Sequence, residues 1–218
     1  MAPKIRFPRE SVVEAALDVV REHGAESLTV RLVAAKLGAS SQPIFTHFPT
    51  MDALLAAVTE AARAEYNRYI EPCFAEKPYP KYFALYYIRF ASLEPNLFAL
   101  LFMQKCPERT LMDYLGAEGH YERILDFFCE QEGLSREQAE NLYRSLWMYL
   151  QGMASMQWSG GYSFSDKEIL DMLVPAYHGM VLSVKIPVDS HVQRIPQNNV
   201  VLPKAPSYFE YRASTENP

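Results

Sequence analysis

Between Ser27 and Pro49 the chain alternates helix-forming and helix-stopping residues so closely that two short helices joined by a tight turn are the arrangement that fits. Thr29 is placed to cap the first helix, whose apolar positions Val30, Val33, Ala34 and Leu37 recur at the i, i+3, i+4, i+7 spacing of one buried face. Gly38 follows and stops it, because the left-handed conformation that ends a helix costs glycine little. Ser40 or Ser41 then caps the second helix, with Pro43 in its first turn, where a missing N–H has no partner to lose. Ile44, Phe45 and Phe48 are its apolar residues, and Gln42, Thr46 and His47 interleave with them and point elsewhere. Helices of one or two turns bury too little surface to stand alone, so the remaining chain must hold the second one outward.

A hydrogen-bonding face on a short, rigid, outward helix is the device that reads base edges in a major groove. On an anonymous short helix such a face is more often plain solvated surface. Here the surrounding pattern narrows the choice. Glu14-Ala-Ala-Leu-Asp-Val-Val-Arg-Glu-His-Gly24, then Ser27-Leu-Thr-Val-Arg31, then Phe45-Thr-His-Phe-Pro-Thr-Met-Asp-Ala-Leu-Leu55 resembles, with its spacing kept, the N-terminal domain of the tetracycline-repressor (TetR-like) family of bacterial transcriptional regulators. The resemblance covers the first quarter of the chain. It implies an all-α protein with a three-helix helix-turn-helix DNA-binding domain over residues 1–50 and a helical ligand-binding and dimerisation domain over 51–186. It further implies a homodimeric repressor of double-stranded operator DNA, released by a small-molecule effector.

On this pattern Ser41, Gln42, Pro43 and Thr46 are the candidates for base readout, with Gln42 suited to adenine. Thr29, Ser40 and His47 would hold phosphates, and Arg31 and Phe45 complete the expected DNA face. Three positions depart from the family pattern. Gln42 stands where glycine is common, Phe45 where a tyrosine gives a phosphate its hydroxyl, and Met51 where a lysine meets the backbone. The last two remove phosphate contacts and should lower nonspecific affinity and its salt dependence. They also keep open the alternative of a helical small-molecule sensor or interaction protein that has lost DNA binding.

The chain has 218 residues, no run of about 18 uncharged apolar residues and no basic, apolar leader, so a soluble cytoplasmic protein without membrane attachment is expected. Its net charge of −5 argues against nonspecific coating of nucleic acid, yet residues 1–51 carry six basic side chains against five acidic ones. The positive end is thus the proposed DNA end, and Lys4, Arg6 and Arg9 form a basic arm able to reach a phosphate or the neighbouring minor groove. Cys73, Cys106 and Cys129 are widely spaced and read as small core residues.

In chain order, a first helix begins between Pro8 and Ser11: Ser11-Val-Val-Glu14 has capping-box spacing, whereas the family pattern starts earlier. Val12, Val13, Ala16, Leu17 and Val20 form its buried stripe, and Gly24 ends it. Thr50 caps a long fourth helix that continues to Pro72, and a tilt of this element would change the separation of two recognition helices in a dimer. Pro95 starts a new helix after the aromatic run that begins at Tyr79. Pro107, Gly116 and Gly119 bracket a loose stretch before a helix with Tyr121, Ile124, Leu125 and Phe128 on one face.

Ser135-Arg-Glu-Gln138 and Ser165-Asp-Lys-Glu168 are capping boxes for the last two of about nine helices. The first of these carries Ala139, Leu142, Tyr143, Leu146, Trp147, Leu150, Met153 and Ala154 on one face. The second carries Ile169, Met172, Leu173, Ala176, Tyr177, Met180 and Val184, with Pro175 as a kink. Each has a further apolar stripe: Tyr149, Gly152, Ser155 and Met156 on one, Leu170, Val174 and Val181 on the other. These are expected to pair with their copies in a second subunit as a four-helix interface. From Pro187 to Pro218 the chain is proline-rich and without helical period, an extended tail.

No catalytic constellation, phosphate loop or metal-spaced histidine pair is present in the sequence, and no enzyme, metal or cofactor is expected. A pocket for a mainly apolar or aromatic effector is expected around Phe90, Phe102, Tyr121, Trp147 and Gln151, with Tyr86 and Tyr177 behind them.

Overall fold

Every apolar run in the chain keeps a helical period, and helices are what form. The computed structural model describes residues 7–75, 79–104 and 119–186, and among these there are nine α-helices and no strand. They are α1 (Arg9–His23), α2 (Val30–Leu37), α3 (Gln42–His47), α4 (Met51–Ile70), α5 (Tyr79–Leu93), α6 (Pro95–Phe102), α7 (Tyr121–Glu132), α8 (Arg136–Trp158) and α9 (Asp166–Lys185). The helices through Lys185 form one compact unit. Cys106, Lys4, Arg6, the stretch around Pro107 and Gly116, and the tail after Pro187 lie outside the described residues.

Helix α1 starts at Arg9, two residues ahead of the Ser11 box, with Pro8 in extended conformation as its cap residue. The box does not form because the helix has already begun: the Val12 N–H bonds the Pro8 carbonyl at 3.3 Å. Val12, Ala16 and Val20 are fully buried, and α1 packs on α2, α3, α4 and α6. Thr29 caps α2 by accepting from the Leu32 N–H at 3.3 Å, and Gly38 ends it at φ +61°. The buried line of α4 is Leu54, Val58, Ala62, Tyr66 and Ile70, a row of fourth residues of the kind that ridges-into-grooves packing uses.

The same row governs α9 and corrects two expectations. Ile169, Leu173, Tyr177 and Val181 lie four apart; Ile169 and Leu173 are buried, and Tyr177 is half-buried. Val181, expected on the outward interface face, is 6% exposed in this row, while Met172, expected inward, is 43% exposed. Helix α8 buries all eight residues of its expected inner face, behind a capping box formed by Ser135 and Gln138. Cys73 is buried and burial pushes its thiol up to about 12, so it stays a neutral core residue; Cys129 is half-buried and unpaired.

One side chain ties the first helix to the rest. Arg21 of α1 pairs with Asp18, with Glu65 of α4 and with Glu94 between α5 and α6. Burial pulls its pKa down, but Glu94 and then Glu65 and Asp18 outweigh that and hold the guanidinium above its usual range. Beside it the Asn96 amide donates to the Arg21 carbonyl at 2.9 Å. Replacing Arg21 by Met should destabilise the protein by about 1–2 kcal/mol, between the surface and buried limits for ion pairs. Adding Glu65→Gln should then recover part of that loss in chemical denaturation, because two carboxylates no longer face each other unneutralised.

Thr50 caps α4 by accepting from the Ala53 N–H at 3.1 Å. Thr50→Ala should cost about 1 kcal/mol in the same measurement, and Thr50→Ser should cost little.

Candidate functional site

Helix α3 has six residues, and two of them anchor it: Ile44 is 1% exposed and Phe48 is buried beside it in the core formed with α1 and α2. With those two inward, Ser40, Ser41, Gln42, Phe45 and Thr46 face outward, and Thr29 and Arg31 are exposed on α2. Pro43 and His47 are half-buried. Seven of the nine residues expected on the DNA face are therefore exposed.

Their chemistry differs in detail from expectation. Ser41 occupies the cap position of α3 but makes no side-chain capping bond, which leaves its hydroxyl available. Thr46 donates its hydroxyl to the Gln42 carbonyl at 2.8 Å, so toward a base it offers lone pairs and a methyl group. Thr29 spends an oxygen lone pair on its cap and keeps its proton for an outside acceptor. Among the described residues Arg31 has no ionic partner, whereas Lys36 is engaged by Glu22.

Phe45, an apolar residue of α3 also expected on the DNA face, is 54% exposed. Ile44 and Phe48 are four residues apart and complete the inward side, so the ring between them turns to solvent. His47, read as a phosphate ligand, bonds the Phe7 carbonyl through Nε2 at 2.9 Å. The Arg9 guanidinium lies 4.8 Å from the centre of the Phe48 ring. Both contacts fasten the chain entering α1 to the end of α3.

The residues expected around an effector fall into separate groups. Phe90 and Phe102 stand edge-on to Tyr66 at 5.1 and 5.0 Å, and Tyr86 lies 5.3 Å from Tyr69. Gln151 accepts from the Tyr87 hydroxyl and donates to the Phe102 carbonyl at 3.4 Å. Tyr121 packs at right angles on Tyr143, 4.9 Å away. Trp147 lines a narrow cleft of about 10 Å³ with Ile124 and Leu150, and Tyr177 lines a larger cavity.

Sequence reasoning passed over two interior polar groups. His120 is 4% exposed, 4.8 Å from the Phe74 ring, with both ring nitrogens lacking a hydrogen-bond partner among the described residues. Burial lowers its pKa, with Arg123 adding to the effect and Glu71 opposing it. The buried Oδ1 of Asn67 on α4 is likewise without a partner, and the Asn67 amide lies against Gly119. Unmet buried polar atoms cost about 1–3 kcal/mol each, which marks this region as one able to reward a polar ligand. Nothing in the spacing of His120 distinguishes it from the other four histidines.

The larger cavity, about 280 Å³, lies between α5, α7, α8 and α9. Pro80, Phe127, Leu146, Leu173 and Val174 form its apolar walls, and Lys81, Glu132, Tyr177 and His178 its polar points. On the outer side of α8 and α9, Met148, Met156, Val174 and Leu182 are exposed, the last by 60%. An added Cβ at Gly152 or Gly179 would meet no atom within 4 Å, so this face has room for close approach. Tyr149 and Leu170 are half-buried, with the Tyr149 hydroxyl donating to the Met172 carbonyl at 3.2 Å. Among the described residues no helix is long and apolar enough to cross a membrane, and no three His, Cys, Asp or Glu groups gather as a metal site would require.

Comparison with known proteins bears on these features. Residues 12–58 match the family described as bacterial regulatory proteins, tetR family. The tetracycline repressor protein class D of Escherichia coli is 37% identical over 71 residues, 33% of each chain. The class A protein from transposon 1721, also of Escherichia coli, is 39% identical over 62 residues, 28% of this chain and 29% of its own. The matched part thus spans about a third of the length of these curated relatives.

The fold likeness is more extensive. A putative transcriptional regulator from Pseudomonas aeruginosa PAO1 superposes with a TM-score of 0.58 at 18% identity, over 81% of this chain and 93% of that one. A variant of TetR from Acinetobacter baumannii AYE, solved in complex with minocycline, gives 0.55 at 20% identity over 83% and 97%. The sequence match falls on the helices that hold α3 outward, where the chain is similar to the tetR family of bacterial regulatory proteins, while the likeness in fold extends over about four fifths of the chain.

Proposed function

We propose that the chain is a DNA-binding transcriptional regulator that grips a palindromic operator as a homodimer, acts as a repressor, and is released by a small, mainly apolar or aromatic ligand. The observation that carries the reading is the exposure of Gln42 and Ser41 at the start of a helix pinned by Ile44 and Phe48. Gln42 offers the paired donor and acceptor that match adenine in the major groove, Thr29 and Arg31 flank it with a proton and a charge for phosphates, and the ring of Phe45 suits a thymine methyl. The division into a DNA-binding part to residue 50 and a regulatory part after it follows this assignment.

The homodimer is supported by the outward face of α8 and α9. Apolar side chains beside the small residues Gly152, Ser155 and Gly179 form a patch of the kind that soluble monomers seldom leave bare. The effector is supported by the unmet polar atoms of His120 and Asn67 next to the aromatic groups around Tyr66. A ligand there acts on DNA only through the difference in its affinity for the two arrangements of the dimer.

Selection of bound sequences from random DNA should return a palindrome whose half-sites are about one helical turn apart. Recovery of unrelated sequences would sink the reading and favour the sensor without DNA binding that the apolar Phe45 suggests. Gln42→Ala should cost about 1–3 kcal/mol at one base position of each half-site and relax the preference there, read by competition gel shift against single-base operator variants. Sedimentation at micromolar concentration should show a dimer of the 24.9 kDa chain. Val174→Glu with Leu182→Glu should shift it to monomer without unfolding it, since both side chains are exposed.

A further inference from the structure

The geometry points to a second binding site, for a small apolar carboxylate, in the cavity between α5, α7, α8 and α9. It is separate from the aromatic groups behind α4 and does not depend on the DNA-binding reading. Phe127, Leu146 and Leu173 line it with apolar surface, and at about 280 Å³ it has room for one or two fused rings.

The charges on its walls select the head group. Glu132 is already engaged, since the Tyr177 hydroxyl donates to it at 2.9 Å and the Lys185 ammonium lies 3.5 Å from its other oxygen. Lys81, also in the lining, has no ion pair among the described residues; its ammonium lies 5.6 Å from the centre of the Tyr82 ring. With Glu132 offset by Lys185, Lys81 is the charged lining residue left without an ionic partner among the described residues. Lys81 also sits in the first turn of the fifteen-residue α5, where the helix end adds positive potential. His178 brings a further ring nitrogen to the rim. An anion gains from all three, a neutral head gains little, and a cation is repelled.

Isothermal titration of the full chain with 2-naphthoate, 2-naphthamide and 2-naphthylmethylammonium tests this. The acid should bind at least tenfold more tightly than the amide or the amine. Lys81→Met should erase the preference for acid over amide, and Lys81→Glu should reverse it in favour of the amine. Lys81 is half-buried in a first helical turn, where a glutamate is well tolerated, and unchanged thermal melting would establish that both variants fold. Equal binding of acid and amide, no binding of any probe, or an order unchanged by Lys81→Glu would each overturn the assignment. Operator selection without ligand reports on the regulator reading separately, so either can fail while the other stands.

Discussion

A helix of six residues has almost no stability of its own, because its first turn fixes several residues for a single hydrogen bond. The candidate DNA face therefore exists only insofar as Ile44 and Phe48 are held in the core that α1 and α2 supply. Burying two such side chains is worth about 1.5–3 kcal/mol each, enough to order α3 and little more. The contacts of His47 with Phe7 and of Arg9 with Phe48 add to the same end of the helix from a different segment. Orientation of the outward residues is thus decided by inward ones, and Phe45 is outward because Ile44 and Phe48 are not.

Helix α1 serves two neighbours at once. One side supports α2 and α3, and another lies against α4 and α6, where Arg21 and Asn96 make the polar connections. Pro95, the residue before Asn96, accepts from the Trp158 indole of α8 at 2.9 Å, and Arg89 of α5 pairs with Asp166 at the start of α9. A chain of bonded groups therefore runs from the two helices with the bare outer face to the helix that braces α3.

Much of this was legible in the sequence where a local signal decides local structure. The Thr29, Thr50 and Ser135 caps, the stop at Gly38 and the eight inward residues of α8 follow from capping chemistry and period alone. Reading failed where a choice depended on what lies across from the helix. Ser11 has good capping spacing, yet the pattern back to Pro8 outweighs it. Val181 and Met172 exchange places because α9 packs along its i+4 row, which the sequence does not distinguish from the i+3 row. Size and apolarity mark both a pocket wall and a core filling, so the period of the aromatic residues does not tell the two apart; Phe90 and Phe102 stand edge-on to Tyr66. Lys81 and Glu132 look like solvated charges in one dimension, and only the meeting of a helix start with a helix end puts them around one cavity.

The magnitudes bear on how a signal could cross the molecule. Coupling between two sites in one protein typically amounts to about 1–3 kcal/mol. Among the described residues the polar bonds that join α1 to the α5–α6 junction are one ion pair from Arg21 to Glu94 and one hydrogen bond from the Asn96 amide to the Arg21 carbonyl. At about 0.5–1.5 kcal/mol net for each, their sum lies on the same scale as the coupling itself. A ligand that shifted α6 enough to lose both would weaken the brace of α3 by that amount without disturbing Ile44 or Phe48. Ile44 and Phe48 make neither of those two contacts, so the burial that orders α3 is independent of the polar bonds at Arg21.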